Sequence, residues 1–180
     1  ALSSRGILGY VSLENKKFFL KQIENNIEDF INKSQFSKHK RFSIKDLKIH
    51  QNKIFISYTD EIREDCWNMS IIYSDFNFSK IDFKKLFSPK QCIHSKNNAD
   101  NEFNAMQSGG RIIGLDDEHI VLSTGEFRNR YLAQNIKSVN GKLIKININN
   151  FDFKIISIGH RNPQGLLLDK DENFILSTEH

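Results

Sequence analysis

Residues 159–165, Gly-His-Arg-Asn-Pro-Gln-Gly, bring together side chains that could bind a planar polar ligand. Arg161 offers a planar fork of donors that suits a carboxylate or a pair of carbonyl oxygens. Asn162 and Gln164 each add an amide donor and an amide acceptor. The glycine at each end and the proline inside dictate the backbone shape. We therefore interpret this stretch as a binding loop.

Two strand-like runs flank this loop. Residues 153–158 lead into it, and the apolar residues 166–168 lead out of it. Loops that connect strands of a rigid scaffold commonly carry binding residues, because the scaffold fixes where they point. The flanking strands therefore position the loop, and their arrangement is the next question.

One pattern recurs three times along the chain, in residues 46–57, 111–123 and 165–177. Each copy is an apolar strand, a polar turn rich in Asp or Asn, and a second β-prone strand that ends in Ser. The final serines are 66 and 54 residues apart, which leaves room for four short strands and their loops. This period favours β-propeller blades, in which each four-stranded sheet packs against its neighbours.

The remaining strands and connections are predicted between these hairpins. Residues 6–11 with 17–20 form a weaker fourth copy, and residues 25–40 fit either a short helix or a loop. Outer strands of the blades are predicted at residues 67–73, 80–87, 141–148 and 153–158, and long polar connections at residues 88–105 and 124–138.

The loop motif resembles a known family. Gly-His-Arg-Asn-Pro-Gln-Gly-Leu, followed by a short strand that ends Ser-Thr-Glu-His at residues 177–180, is similar to the soluble glucose/sorbosone dehydrogenase family. Those proteins are six-bladed β-propellers that use pyrroloquinoline quinone, and usually calcium, to oxidise sugars. Weaker likeness extends back through residues 109–113 and, as a blade pattern alone, to about Phe42.

The resemblance implies an all-β chain, a β-propeller of four-stranded antiparallel blades. About three to four blades are expected in a single partial domain that spans residues 1–180, with repeats that end near residues 57, 123 and 177. A closed six-bladed ring needs far more than 180 residues, and the family motif would continue with Gly-Pro after His180. We therefore expect a partial ring.

The resemblance also implies roles for particular residues. Arg161 and Asn162 match the pair that contacts the carbonyl oxygens of the quinone, where a cation and an amide stabilise developing negative charge. The family's general base is a His just before a Gly-Arg pair, and alignment on residues 109–111 places Gln107 there. A one-residue shift places Met106 there instead. Neither side chain accepts a proton near neutral pH, and the loss of a general base typically lowers the rate by about 10²–10⁴.

Other histidines and metal ligands are weaker candidates. His94 in the loop before residue 107 is expected to face solvent, and His180 receives no catalytic role. The acidic runs at residues 116–118 and 169–172 could bind calcium, but they coincide with hairpin turns, where Asp is favoured by the turn geometry. No metal ligand is predicted in this chain. The resemblance implies calcium only for the complete protein, since the family binds it at the Gly-Pro.

Composition excludes several classes of protein. The 26 basic and 22 acidic residues are mostly interspersed, and the one basic cluster, residues 38–41, lacks the aromatic residues of a single-strand nucleic-acid surface. No apolar run approaches the length of about 20 residues that spans a membrane. Cys66 and Cys92 would form a disulfide if the protein is exported, or lie unpaired in strands, and their spacing leaves both open.

The function expected from the resemblance is quinone-dependent oxidation of a sugar or related alcohol, in the periplasm or outside the cell. The alternative is a non-catalytic propeller module that binds a sugar or a protein partner, because the base His is replaced near Gln107. A hydrolytic propeller such as a lactonase would need clustered carboxylates that the sequence does not show. Open blade edges also predict self-association.

Overall fold

The computed structural model describes residues 1–12, 19–31, 33–38 and 43–180. Strands dominate, and the helical segments are a 3₁₀ helix at Ile27–Asp29, α1 (Lys33–Lys38) and α2 (Tyr131–Gln134). The strands are β1 (Gly9–Tyr10), β2 (Lys21–Gln22), β3 (Glu24–Asn25), β4 (Ile44–His50), β5 (Lys53–Arg63), β6 (Cys66–Asp75), β7 (Lys80–Ile81), β8 (Lys84–Phe87), β9 (Ile93–His94), β10 (Gly109–Asp116), β11 (His119–Thr124), β12 (Lys142–Asn147), β13 (Phe153–Ile158), β14 (Pro163–Asp169) and β15 (Phe174–Glu179). The predicted all-β class is confirmed.

Two antiparallel sheets, one of five strands and one of four, form the body of the structure. The first blade has the order β4-β5-β6-β8, with β9 paired to β6, and the second blade has the order β10-β11-β12-β13. The hairpin β14-β15 stands beside the second blade as a two-stranded sheet. The three repeats of the sequence are therefore the β4-β5, β10-β11 and β14-β15 hairpins.

The turn between β4 and β5 shows why the repeat folds as a hairpin. Gln51 and Asn52 both adopt left-handed backbone, with φ of 47° and 54°. A two-residue hairpin turn of this hand matches the twist of its strands, and Asn tolerates the conformation better than most residues. The register His50–Lys53 closes the hairpin directly around these two residues.

The core lies between the blades, as the propeller prediction requires. One cluster fills the space between the first and second blades, around Phe55, Met69 and Ile144. A second joins Val121 and Leu143 of the second blade to the β14-β15 hairpin. A third packs the first blade against the N-terminal segment. Because each sheet buries both faces against its neighbours, β5 and β6 have long runs of buried residues instead of simple alternation.

The blades are incomplete as a ring. Within the described residues, one blade has five strands including β9 and the other has four, the β14-β15 hairpin supplies two strands of another, and β1 pairs only with β2. The strands β4, β10 and β14 lie side by side, which makes them the innermost strands. Their leading loops therefore meet at one end of the structure.

Several boundaries differ from the sequence prediction. Residues 80–87 are not one strand, because the side chain of Asn26 occupies the place of a neighbouring strand at Phe83. Asn26 Oδ1 accepts from Phe83 N at 2.7 Å, and Asn26 Nδ2 donates to Phe83 O at 3.3 Å. The segment therefore divides into β7, which pairs in parallel with β3, and β8, which joins the first blade.

The N-terminal region and the two long connections also carry more structure than predicted. Residues 25–40 contain the 3₁₀ helix and α1, with Ile27 and Ile31 buried, although residues 32, 39 and 40 lie outside the described part. Only the first strand of the weak fourth copy is confirmed, since β1 lies within residues 6–11 and pairs with β2, which begins after the predicted second strand at residues 17–20. Residues 19 and 20 are not in a strand, and residues 17 and 18 lie outside the described residues. Connection 88–105 includes β9, and connection 124–138 includes α2 and several buried side chains.

Cys66 and Cys92 form a disulfide, which resolves the alternative that the sequence leaves open. The bond ties the first residue of β6 to the segment just before β9. No helix among the described residues is long and apolar enough to cross a membrane.

Candidate functional site

The structure brings the two sequence-predicted loops together. Gln107 precedes β10 and Arg161 precedes β14, so both lie at the same end of adjacent innermost strands. The Gln107 amide orientation that satisfies its neighbours has its nitrogen 3.0 Å from Glu126 Oε1 and its oxygen 3.3 Å from Arg161 Nη2. Gln107 is therefore a bridge between a carboxylate and the Arg161 guanidinium.

Met106 does not belong to this cluster. Its side chain is 52% exposed, whereas that of Gln107 is buried. The sequence allows either Gln107 or Met106 at the position of the family's base, and the structure places Gln107 beside Arg161. The described contacts link neither the His94 ring nor the His180 ring to Gln107, Glu126 or Arg161.

Asn162 locks the two loops to each other. It is 2% exposed, and its Oδ1 accepts a hydrogen bond of 3.1 Å from Gly109 N. Gly109 has φ +66°, and a Cβ there would lie 2.9 Å from Gly125 N, so the close approach requires glycine. No described residue accepts a hydrogen bond from Asn162 Nδ2.

Glu179 on β15 holds the backbone of the Arg161 loop. Its Oε2 accepts from Arg161 N at 3.2 Å and from Asn162 N at 3.0 Å. Its Oε1 lies 2.7 Å from His160 Nδ1, and His160 Nε2 lies 2.8 Å from Ser157 Oγ. One carboxylate thus fixes three successive residues of the loop, because charged acceptors make the stronger hydrogen bonds.

Glu126 is the buried charge of the site. It is 1% exposed, its Oε1 accepts from Arg128 N at 3.1 Å as well as from Gln107, and its Oε2 has no hydrogen-bond partner. Burial raises the pKa of Glu126, although the hydrogen bond from Arg128 and the charge of Arg161 oppose that shift. Its backbone N donates to Arg161 O at 3.0 Å.

Sequence reasoning missed both glutamates. Glu126 lies in the connection 124–138, which the sequence predicts as a long polar connection, and Glu179 lies at the end of a strand. A carboxylate directly after a glycine at the end of a buried strand was the available signal for Glu126. For Glu179 the signal was its position opposite Pro163 in the hairpin register, next to a loop rich in N–H donors.

The cluster can present a cation and an amide donor to a planar ligand. Arg161 is exposed and held at both ends, since Gln107 contacts its side chain while Glu126 and Glu179 bind its backbone. Such fixed donors stabilise negative charge on carbonyl or carboxylate oxygens without reorganising. Gln107 cannot accept a proton at neutral pH. Glu126, which Gln107 contacts, is the carboxylate of the cluster.

The acidic hairpin turns bind their own backbone. Asp116 Oδ1 accepts from Glu118 N at 3.0 Å, and Asp169 Oδ1 accepts from Asp171 N and Glu172 N at 3.0 Å each. Burial opposes the shift, yet the hydrogen bonds from His119 and Glu118 hold the pKa of Asp116 at about 2. Among the described residues, no group of three or more His, Cys, Asp or Glu side chains could hold a metal ion.

Comparison with known proteins assigns the family. The model of a family described as Glucose / Sorbosone dehydrogenase matches residues 43–180. The chain belongs to this family. No curated protein matches the glucose/sorbosone dehydrogenase chain.

Solved structures share the fold of this glucose/sorbosone dehydrogenase chain at low sequence identity. The apo-form of the soluble aldose sugar dehydrogenase from Escherichia coli is 22% identical, with a TM-score of 0.62, over 78% of this chain and 44% of that one. The oxidoreductase (glucose dehydrogenase) from Thermus thermophilus is 18% identical, with a TM-score of 0.64, over 93% of this chain and 50% of that one. The PQQ-bound form of aldose sugar dehydrogenase from Streptomyces coelicolor is 22% identical, with a TM-score of 0.54, over 72% of this chain and 38% of that one.

These likenesses confirm a β-propeller fold for the chain. The chain spans about half the length, or less, of the solved structures that it matches.

Proposed function

We propose that the complete protein is a quinone-dependent dehydrogenase of a sugar or a related alcohol, and that Arg161 and Asn162 form part of its cofactor site. The observation that carries this proposal is the junction of the Arg161 loop with the Gln107 loop at one end of the innermost strands. Residues 1–180 act in it as a single partial propeller domain.

The residues present fit pyrroloquinoline quinone, a planar molecule with carboxylates and adjacent carbonyls. Arg161 contributes an exposed guanidinium, and Asn162 contributes the Nδ2 donor that no described residue uses. A relative from Streptomyces coelicolor has a PQQ-bound structure, which supports the same cofactor here. When bound, the quinone supplies the acceptor for the two electrons of the oxidised alcohol.

The residues of this chain have separate roles in the proposed site. Glu179 fixes the loop that carries Arg161 and Asn162. Gln107 orients the Arg161 guanidinium and cannot remove a proton from a hydroxyl group. Glu126 keeps a buried carboxylate within hydrogen-bond distance of Gln107. Calcium, if the complete protein binds it, would be held by residues beyond the cluster described here.

Localisation follows from the disulfide and the family. A disulfide between Cys66 and Cys92 is typical of an oxidising compartment. It supports a periplasmic or secreted protein, as does the likeness to a soluble aldose sugar dehydrogenase from Escherichia coli.

A second candidate function is a propeller module that binds a sugar or a protein partner without turnover. Gln107 favours this non-catalytic module, because an amide cannot exchange a proton with a substrate hydroxyl group near neutral pH. A lactonase-type hydrolase is disfavoured, since the described residues contain no cluster of carboxylates for a catalytic metal.

A dye-linked oxidation assay of the full-length protein separates the two candidates. The protein is loaded with pyrroloquinoline quinone and calcium and is offered neutral aldoses, their disaccharides and simple polyols. Reduction of the dye that depends on both sugar and quinone supports the dehydrogenase. A folded protein that binds quinone yet reduces no dye with any sugar supports the non-catalytic module.

A further inference from the structure

The disulfide between Cys66 and Cys92 has an arginine side chain against both of its sulfur atoms. Arg63 Nη2 lies 3.2 Å from Cys92 Sγ and 4.0 Å from Cys66 Sγ. Arg63 is exposed, and no carboxylate pairs with it among the residues that the structure describes. A guanidinium carries five N–H donors, so contact with the sulfur atoms leaves it able to bind an anion as well.

The hairpin between β5 and β6 fixes this contact. Arg63 ends β5, Cys66 begins β6, and the two residues are partners in the register of the strands. Asp65 in the turn between them has left-handed backbone with φ of 49°, and its N donates to Glu61 Oε1 at 2.8 Å. Partners in antiparallel strands hold their side chains on the same face within contact distance. The local fold therefore places the cation beside the disulfide.

The two sulfur atoms differ in accessibility. Cys66 is 0% exposed, whereas Cys92 is half-buried and lines an open cavity of about 360 Å³. Thiol–disulfide exchange begins when a thiolate attacks one sulfur of the disulfide and expels the other, so access decides which sulfur is attacked. A thiol that enters the cavity can reach Cys92 Sγ, and Cys66 Sγ is then the leaving group.

The charge of the cavity favours an anionic reagent. Arg63 and His94 line it, and none of its described lining residues is acidic. A guanidinium forms strong charge-assisted hydrogen bonds with a carboxylate, and a local positive charge raises the concentration of anions near it. A neighbouring arginine also stabilises a thiolate, which is the form in which Cys66 leaves. The Arg63 cation can therefore both attract the reagent and stabilise the leaving group.

We propose that Cys92 is a site of thiol–disulfide exchange with small thiols that carry a carboxylate, and that Arg63 selects these thiols. The thiolate of the reagent attacks Cys92 Sγ and forms a mixed disulfide there. The bond between Cys92 and Cys66 breaks, and its electron pair leaves on Cys66 Sγ. The reagent sulfur is oxidised and Cys66 is reduced, and Cys66 Sγ takes its proton from solvent, which received the proton of the reagent thiol. This site is independent of the proposed quinone chemistry.

The test treats the full-length protein without quinone with three small thiols of different charge, namely mercaptopropionate, mercaptoethanol and cysteamine, at equal thiolate concentrations. Acid quenching, alkylation and peptide mass spectrometry give the rate and the position of each mixed disulfide. We expect the adduct on Cys92 and the alkylated thiol on Cys66, with mercaptopropionate at least tenfold faster than cysteamine. Arg63→Gln should reduce this ratio to threefold or less. Arg5→Gln, which removes the same charge from the N-terminal segment, should leave it unchanged.

Several results would overturn the proposal. One is a folded protein that forms no mixed disulfide, and another is an adduct on Cys66 instead of Cys92. Rates that do not depend on the charge of the thiol, or a charge preference that Arg63→Gln leaves unchanged, would exclude selection by Arg63. Thermal melting checks that each variant is folded. If Arg63→Gln does not fold, the position of the adduct and the charge preference in the parent protein still decide the outcome.

Discussion

Gln107 and Glu126 form a pair in which the amide contacts the carboxylate and the guanidinium of Arg161 at once. A histidine at position 107 would have the same neighbours, with Glu126 able to accept from one ring nitrogen and orient the other. A carboxylate in this role also stabilises the imidazolium that forms when the ring takes a proton. We therefore expect a histidine at position 107 to act as a general base.

Gln107→His is therefore expected to raise the rate of sugar oxidation by about 10²–10⁴-fold over the parent protein. The measurement is the dye-linked assay across pH 5–9, in which a new ionisation should appear on the acid limb. Met106→His is the matched control, since that side chain is exposed and lies outside the cluster. Equal gains in both variants would contradict the placement of residue 107.

Glu126→Gln tests the buried carboxylate through stability. Burial raises the pKa of Glu126 above its unfolded value, so the stabilisation from the protonated form is complete below the unfolded pKa. That stabilisation is lost as the pH rises through the folded pKa. Glutamine does not titrate, so the melting temperature of Glu126→Gln relative to the parent should increase between pH 4 and pH 7. If the difference in melting temperature stays constant or falls as the pH rises, ionisation of Glu126 does not destabilise the folded protein, which would contradict the prediction.

The site residues that the sequence identifies are those within one contiguous motif. Arg161 and Asn162 are recognisable because their neighbours in the chain complete the pattern, and Gln107 because a Gly-Gly-Arg run follows it. The sequence does not reveal Glu126 and Glu179, because the site residues that they contact lie 17 or more residues away along the chain. Periodicity alone does not show which buried carboxylate meets which loop.

At the scale of elements, the β15 strand supplies rigidity to the β13–β14 loop. Glu179→Ala would leave the N–H groups of Arg161 and Asn162 without their charged acceptor. We expect faster amide hydrogen exchange confined to residues 161 and 162, and quinone binding at least tenfold weaker.

Glu172→Ala is the control for that change, because Glu172 is an exposed glutamate in the turn of the same hairpin. It should alter neither property. Unchanged exchange at residues 161 and 162 in Glu179→Ala would contradict the positioning role of β15.

The three hairpins were predictable because each combines short apolar strands with a turn that carries its own signal. The strand at residues 80–87 was not, since an amide 57 residues away breaks its pairing at Phe83. The connection 124–138 looks polar in sequence, yet Glu126 and Asn129 are buried because they line the junction between blades. Local pattern predicts elements, whereas contacts between distant elements set their ends.

At the scale of the molecule, the β14-β15 hairpin leaves an apolar face uncovered among the described residues. Leu167 and Leu176 are 59% and 53% exposed. In a propeller such a face packs against the next blade, and an uncovered one favours association. We propose that residues 1–180, produced alone, self-associate through this face and the adjoining strand edge.

Leu176→Lys should shift residues 1–180 towards the monomer in size-exclusion chromatography with light scattering. A charge on an edge strand opposes pairing between chains. Glu172→Gln gives the same change of net charge away from the face and should leave the association unchanged. A monomeric parent chain would rule out this surface as an association site.

The central claim is that the Arg161 loop binds the quinone, and calorimetric titration of the full-length protein with pyrroloquinoline quinone and calcium tests it most directly. We expect tight binding that weakens at least tenfold in Arg161→Ala and is unchanged in Lys170→Ala, whose side chain is exposed on the hairpin turn. The folded state of each protein is checked by thermal melting. The absence of binding in well-folded protein, or equal binding in Arg161→Ala, would contradict the assignment of this loop as a cofactor site.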